Sequence, residues 1–388
     1  MTPEDAWAPY LRPQARFDEL VERAFREFGP RLMDLSWANA YDGPQPKVVE
    51  AIRTALDKTD NLSFQYTPYG GRTTTRRLIS TQYQSRFGLP MNYQDVIMTP
   101  GAMSALNVAF RCLCRDQDEV LVLTPCWIDY PLYLAHLEIP FRLVPLNAEK
   151  HLDLAAIERA IGPQTRVIIF STPGCPTGVM FSPSALDGLA RILKDAETKW
   201  SRHIYVISDE VHRDVTWGET KFTTSMLYHP RTLVTFSFGK ALLLQGQRIG
   251  YVAVSPKMQE REAVRMRLRQ LVRVMGYCTP TTLMQRAIES LLDYPPPLDE
   301  IRQRQQMVRA ALKEAGYRVC DAESTFFVYA QSPVEDDWAF AERMAARGVL
   351  VLPSSVFHER GFFRISVTAK KECITAALPL LAAAAREN

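Results

Sequence analysis

A lysine stands at the end of the run Ser237-Phe238-Gly239-Lys240, and an arginine follows eight residues later in Gly246-Gln247-Arg248-Ile249-Gly250. A primary amine can condense with a carbonyl, but the carbonyl compound must be held in place. The Ser237 hydroxyl and the Arg248 guanidinium could both grip a phosphate on that compound, leaving the Lys240 amine to react at its other end. Taken alone, a lysine in a loop between two apolar runs is usually a solvated surface residue.

Three further groups point the same way. Asp209 closes the apolar run Tyr205-Val206-Ile207-Ser208. A carboxylate there could pair with a protonated ring nitrogen and keep the ring able to accept electrons. The ordinary alternative is a helix N-cap aspartate. Thr99-Pro100-Gly101-Ala102-Met103-Ser104 follows a strand and opens a helix. The backbone N–H groups of Ala102 and Met103, with the helix dipole behind them, suit an anion, and Gly101 allows its close approach. Trp127 lies just beyond the run Val120–Thr124 and could stack on an aromatic ring, although any single tryptophan is more often part of a core. Jointly these groups read as a pocket for pyridoxal 5′-phosphate, with Lys240 as its Schiff-base lysine.

Such groups need a scaffold that brings them to one edge. The sequence predicts strands at Val96–Thr99, Val120–Thr124, Val167–Ser171, Tyr205–Ser208, Leu233–Ser237 and Ile249–Ser255, several of them apolar throughout. Amphipathic stretches such as Met103–Cys114 and Leu186–Thr198 separate them, so an α/β fold with a mostly parallel, helix-covered sheet follows. Ligands bind beyond the carboxyl ends of such strands, where Gly101, Trp127, Cys175, Asp209 and Lys240 all fall. After Cys278 the pattern changes to a helical stretch, Thr282–Gly316, broken at Pro295-Pro296-Pro297. Strand-like runs at Phe326–Ala330, Val349–Leu352 and Phe362–Val367 and a terminal helix then suggest a smaller α+β domain. The expected division is a segment 1–45 that joins the small domain, a large domain 46–285 and the small domain 286–388.

Composition narrows the class. A chain of 388 residues with 47% apolar and 23% charged residues is ordinary globular protein. A net charge of +3 gives no reason to expect nucleic acid, and the five arginines between Glu260 and Arg273 read as a solvated helix face. No apolar run approaches the roughly 20 residues that span a bilayer. The N-terminus lacks a signal-peptide layout, so a cytoplasmic location is expected. The seven scattered cysteines and six histidines show no metal-ligand spacing, and no metal is expected.

The quoted motifs, in this order from about Leu35 to Ser366, resemble those of the class I/II aminotransferase superfamily of fold-type-I pyridoxal phosphate enzymes. The resemblance implies a seven-stranded, mostly parallel sheet in the large domain. It also implies that Asp209 pairs with the pyridine nitrogen, that Ser237 and Arg248 bind the phosphate, and that Trp127 stacks on the ring. Pro173-Gly174-Cys175-Pro176-Thr177-Gly178 is similar to the family's Asn-Pro-x-Asn-Pro-x-Gly turn. Arg364, in Phe363-Arg364-Ile365-Ser366, resembles the arginine that clamps the substrate α-carboxylate in two parallel hydrogen bonds. Tyr66, in Tyr66-Thr67-Pro68-Tyr69-Gly70, resembles the tyrosine that reaches the neighbouring subunit's phosphate, which implies a homodimer with shared active sites.

The chain also departs from that pattern. Cys175 stands where an asparagine usually contacts the cofactor's 3′-oxygen, and His212 where a tyrosine does. Ala38, in the loop Trp37-Ala38-Asn39-Ala40 that lines the substrate pocket, takes a usual glycine position. Asp209-Glu210-Val211-His212-Arg213-Asp214 and Trp217-Gly218-Glu219 are similar to carbon–sulfur β-lyases, whereas Gly246-Gln247-Arg248-Ile249-Gly250 is closer to aminotransferases. The expected activity is transamination of an α-amino acid, with a β-eliminating lyase or another specialised biosynthetic enzyme as the alternative. A regulator's effector domain on this fold is the non-enzymatic reading. With about thirty residues before the fold, a DNA-binding module of that kind is not expected.

Overall fold

The computed structural model describes residues 5–41, 43–58, 60, 64–295 and 298–387. Its strands are β1 (Met33–Asp34), β2 (Val96–Thr99), β3 (Glu119–Thr124), β4 (Phe141–Pro145), β5 (Thr165–Ser171), β6 (Tyr205–Asp209), β7 (Thr232–Ser237), β8 (Gly250–Val254), β9 (Phe327–Gln331), β10 (Val349–Leu350), β11 (Leu352–Pro353) and β12 (Phe362–Ser366).

Seven of them form one sheet in the order β2-β8-β7-β6-β5-β3-β4. Only β8 runs against the others, antiparallel to β2 and β7. Alternate residues of one strand face opposite helical layers: Val167 and Ile169 pack towards Val120, Val122 and Ile207, while Ile168 and Phe170 pack towards Leu121, Leu123 and Val206. Burial on both faces is why the central strands read as unbroken apolar runs.

The expected seven-stranded, mostly parallel sheet is present, and its least legible strand is β4. There Val144 is buried but Arg142 and Leu143 are exposed, as befits an edge strand ending in proline. Helices Ala102–Leu113 and Arg261–Val274 cover one face, and Pro183–Trp200 covers the other. The arginine-rich helix is not wholly a solvated face. Arg265 is buried and pairs with buried Asp95 at 3.0 Å.

A second, antiparallel sheet has the order β11-β12-β9. The expected single strand Val349–Leu352 is split, because β10 pairs with β1 while β11 turns to pair with β12. Helix Ala8–Phe28 places Phe17, Leu20 and Ala24 in a core with Phe340, Phe363 and Leu381. The helical stretch after Cys278 resolves into Thr282–Glu289 and Leu298–Glu314; Pro296 and Pro297 lie outside the described residues. Among the described residues no helix is long and apolar enough to cross a membrane.

Candidate active site

Strand register assembles the site. Ser171 and Asp209 end β5 and β6 side by side, and Thr235, two residues before the end of β7, pairs with Asp209. The backbone after Asp209 continues in turns and not in a helix, so the N-cap reading is set aside. Its carboxylate is buried and held on both oxygens: Tyr130 donates to Oδ2 at 2.6 Å and Thr235 donates to Oδ1 at 3.1 Å. Burial pushes its pKa up to about 6, against the lowering effect of these hydrogen bonds. Such an aspartate is a fitting partner for a cationic ring nitrogen, which would offset the desolvation. Tyr130 and Thr235 were not legible as site residues. The available signal for Tyr130 was its place three residues after Trp127, at the start of helix Asp129–His136.

One strand over, Thr99, Gly250 and Ser237 align across β2, β8 and β7. Gly101 lies two residues beyond Thr99, and Arg248 two before Gly250. Gly101 has φ +83°, a backbone that favours glycine, and a Cβ there would sit 2.8 Å from an Arg248 nitrogen, so glycine also leaves the guanidinium room at the helix start. Arg248 is exposed, bonded to the Gln245 carbonyl at 2.9 Å and lying 3.6 Å from Met103 Sδ. The Ser237 hydroxyl accepts from the Gly239 N–H at 3.3 Å. Ala102 and Met103 begin the 12-residue helix that faces this group. The arrangement is a phosphate-sized cradle of one cation, one hydroxyl and free helix N–H groups.

Lys240 sits half-buried in the short helix Phe238–Ala241, its amine 5.8 Å from the centre of the Phe326 ring. Burial lowers its pKa, and the Arg364 cation adds to that. Arg364 is 1% exposed, donates to the Ser36 carbonyl at 2.7 Å and touches Cys175 Sγ at 3.9 Å. Phe327 and Phe357 flank its guanidinium at 4.2 and 4.8 Å. Its Nε has no hydrogen-bond partner, and no carboxylate pairs with it among the described residues. Burial lowers its pKa to about 10. A buried cation left in this state is strongly unfavourable unless an anion joins it.

His212 is equally enclosed. Both ring nitrogens lack partners among the described residues, and Phe326 and Phe327 meet the ring edge-on at 5.3 and 5.5 Å. Burial, Lys240 and Arg364 hold its pKa well below the ordinary value, so the imidazole is neutral. Burial raises the Cys175 thiol pKa, against the pull of Arg364 and Lys240. Trp127 is half-buried, and the N–H of Cys126 before it donates to the Phe357 carbonyl at 3.2 Å. The Ala38 carbonyl accepts from Gln245 at 3.3 Å, in the loop that joins Lys240 to Arg248. Tyr66 is 95% exposed and is not brought to this cluster within one chain.

Nearly the whole chain superposes on known folds. An aminotransferase from Eubacterium rectale matches with a TM-score of 0.91 at 24% identity, covering 95% of this chain and 94% of that one. The aspartate aminotransferase of Thermotoga maritima matches with a TM-score of 0.85 at 24% identity, covering 96% and 98%. A seven-stranded sheet with a lysine, an aspartate and a phosphate cradle at its carboxyl edge defines a fold-type-I pyridoxal phosphate enzyme. The aminotransferase class I and II signature covers residues 30–378, and the chain belongs to that family. It is a pyridoxal phosphate-dependent aminotransferase. The "probable aspartate aminotransferase" of Methanocaldococcus jannaschii is 25% identical over 351 residues, 88% of this chain and 90% of that one. The "aspartate/prephenate aminotransferase" of Thermus thermophilus is 27% identical over 350 residues, 87% and 86% respectively. The β-lyase alternative draws no support from these relatives.

Proposed function

We propose that this enzyme moves the amino group of an α-amino acid whose α-carboxylate docks on Arg364. The observation that carries this reading is the buried Arg364 guanidinium with no carboxylate of its own among the described residues. Gly101, Ala102, Met103, Ser237 and Arg248 would hold the phosphate, Asp209 the ring nitrogen, Trp127 the ring face, and Cys175 and His212 the edge near Arg364. When bound, pyridoxal phosphate supplies an electron sink conjugated to the substrate nitrogen.

The protein's own part is positional. Arg364 fixes the carboxylate, and with it the direction of the Cα–H bond. Lys240, its pKa lowered, is available as a neutral amine to take the Cα proton and return it. Asp209, tied down by Tyr130 and Thr235, holds negative charge opposite the ring nitrogen. The neutral His212 adds no competing cation beside Arg364.

The exposed Tyr66 fits a homodimer in which it reaches the phosphate cradle of a second copy. We place the enzyme in the cytoplasm, with residues 1–45 acting with a small domain 286–388 around a large domain 46–285. The names of the relatives favour aspartate as a donor to try first.

The test is a single turnover of holoenzyme with each amino acid and no keto acid acceptor. One equivalent of keto acid per site without ammonia marks an aminotransferase and names its donor. Continuing keto acid and ammonia release would overturn the reading in favour of elimination.

A further inference from the structure

Lys150 belongs to the loop that follows edge strand β4, far in sequence from the strand that carries Arg364, yet it is only 4% exposed. Its amine donates to Glu359 Oε1 at 2.6 Å and lies 4.2 Å from the centre of the Phe362 ring. The other Glu359 oxygen accepts from the Tyr329 hydroxyl at 2.7 Å. Tyr329 and Phe362 are stacked, with ring centres 5.1 Å apart and planes within 5°.

Register puts this group next to Arg364. Tyr329 in β9 is directly opposite Arg364 in β12, and Phe362 lies two residues before Arg364, on the same face of that strand. The aromatic stack therefore occupies the neighbouring places on the arginine's side of the small sheet. Lys150 clamps that stack by an ion pair and a cation–ring contact. It does so from a left-handed backbone, φ +67°, which costs energy in any residue but glycine. The turn is held there by Asn147, whose side chain accepts from the His151 N–H at 2.9 Å and whose carbonyl accepts from the Lys150 N–H at 3.0 Å. A glycine would suit that backbone better, so the side chain is the reason for a lysine.

We infer that Lys150, through Glu359 and the Tyr329–Phe362 stack, is a positioning residue that sets the Arg364 guanidinium against the substrate carboxylate. The inference rests on the Arg364 reading above. The Lys150 amine contacts Glu359 and the Phe362 ring, neither of which belongs to the proposed cofactor set, so its effect belongs in substrate affinity and not in cofactor binding.

The experiment compares wild type, Lys150→Met, Lys150→Arg and Glu359→Gln as holoenzymes, using whichever of the twenty amino acids the wild type converts fastest. Lys150→Met and Glu359→Gln should raise KM roughly ten- to hundredfold with kcat little changed. Lys150→Arg should recover most of the loss, and the visible spectrum and retention of the cofactor should match wild type in all of them. An unchanged KM in soluble, cofactor-loaded Lys150→Met overturns the inference. So does a parallel loss of cofactor, or failure of Lys150→Arg to recover, because each marks a merely structural lysine. If the Met variant does not fold, Glu359→Gln decides by the same readings. A wild type that converts no amino acid would overturn the Arg364 reading on which the inference stands.

Discussion

Tyr130 donates its hydroxyl proton to Asp209 across 2.6 Å, a bond that closes 79 residues of chain and fixes the acid at the end of β6. The bond stabilises the carboxylate while burial opposes it, and burial wins: the pKa stands at about 6 against an ordinary 3.8. The acid therefore binds its proton more tightly folded than unfolded. Its contribution to apoprotein stability is greatest below about pH 4 and is lost as pH rises through about 6.

That sign gives the first prediction. The stability of the apoprotein relative to Asp209→Asn should fall by roughly 2 kcal/mol between pH 4 and 7. Tyr130→Phe removes a bond to the ionised form, so it should move the midpoint upward. Denaturant titrations across that range measure both, and a flat difference between wild type and Asp209→Asn would show that the acid is not desolvated.

Lys240→Ala should abolish the visible absorbance of the lysine-bound cofactor and cut turnover by on the order of 10³-fold or more. Absorbance and steady-state rates are the readings. A variant that turned over normally would sink the assignment of Lys240.

Arg364→Ala should weaken substrate binding by roughly 2–5 kcal/mol while leaving cofactor affinity nearly unchanged. Its buried guanidinium meets Cys175, Ser36 and two rings, none of which is a phosphate ligand. Parallel titrations with amino acid and with pyridoxal phosphate separate the two affinities. Unaltered substrate affinity would refute the clamp.

The double variant Cys175→Asn, His212→Tyr tests the atypical edge of the site. A thiol is a weak donor, and His212 is neutral with both nitrogens unpartnered among the described residues. Restoring donors to an ionised oxygen there should lower the pH midpoint of the visible band by about one pH unit per bond gained. No movement would mean that neither side chain reaches that oxygen.

Much of this was legible in local sequence. Strands β2, β3, β5, β6, β7 and β8 announce themselves because both faces are buried, and their ends bring Asp209, Lys240 and Gly101 to one edge. The step from Ser237 to Arg248 is legible because both flank a single strand connection. Edge strand β4 is hidden by its exposed residues, and Val349–Leu352 is legible as a strand but not in its division between two sheets.

By itself, then, the sequence determined six of the seven strands of the large sheet, their order along the chain and the kinds of groups at their ends, since these follow from periodicity and short spacing. Only the tertiary structure decided which groups are paired. Arg364 is held by a carbonyl 328 residues away, Lys150 meets Glu359 across 209, and Tyr130 meets Asp209 across 79. Charge state and orientation depend on burial and on partners brought in from distant segments, and no local pattern encodes either.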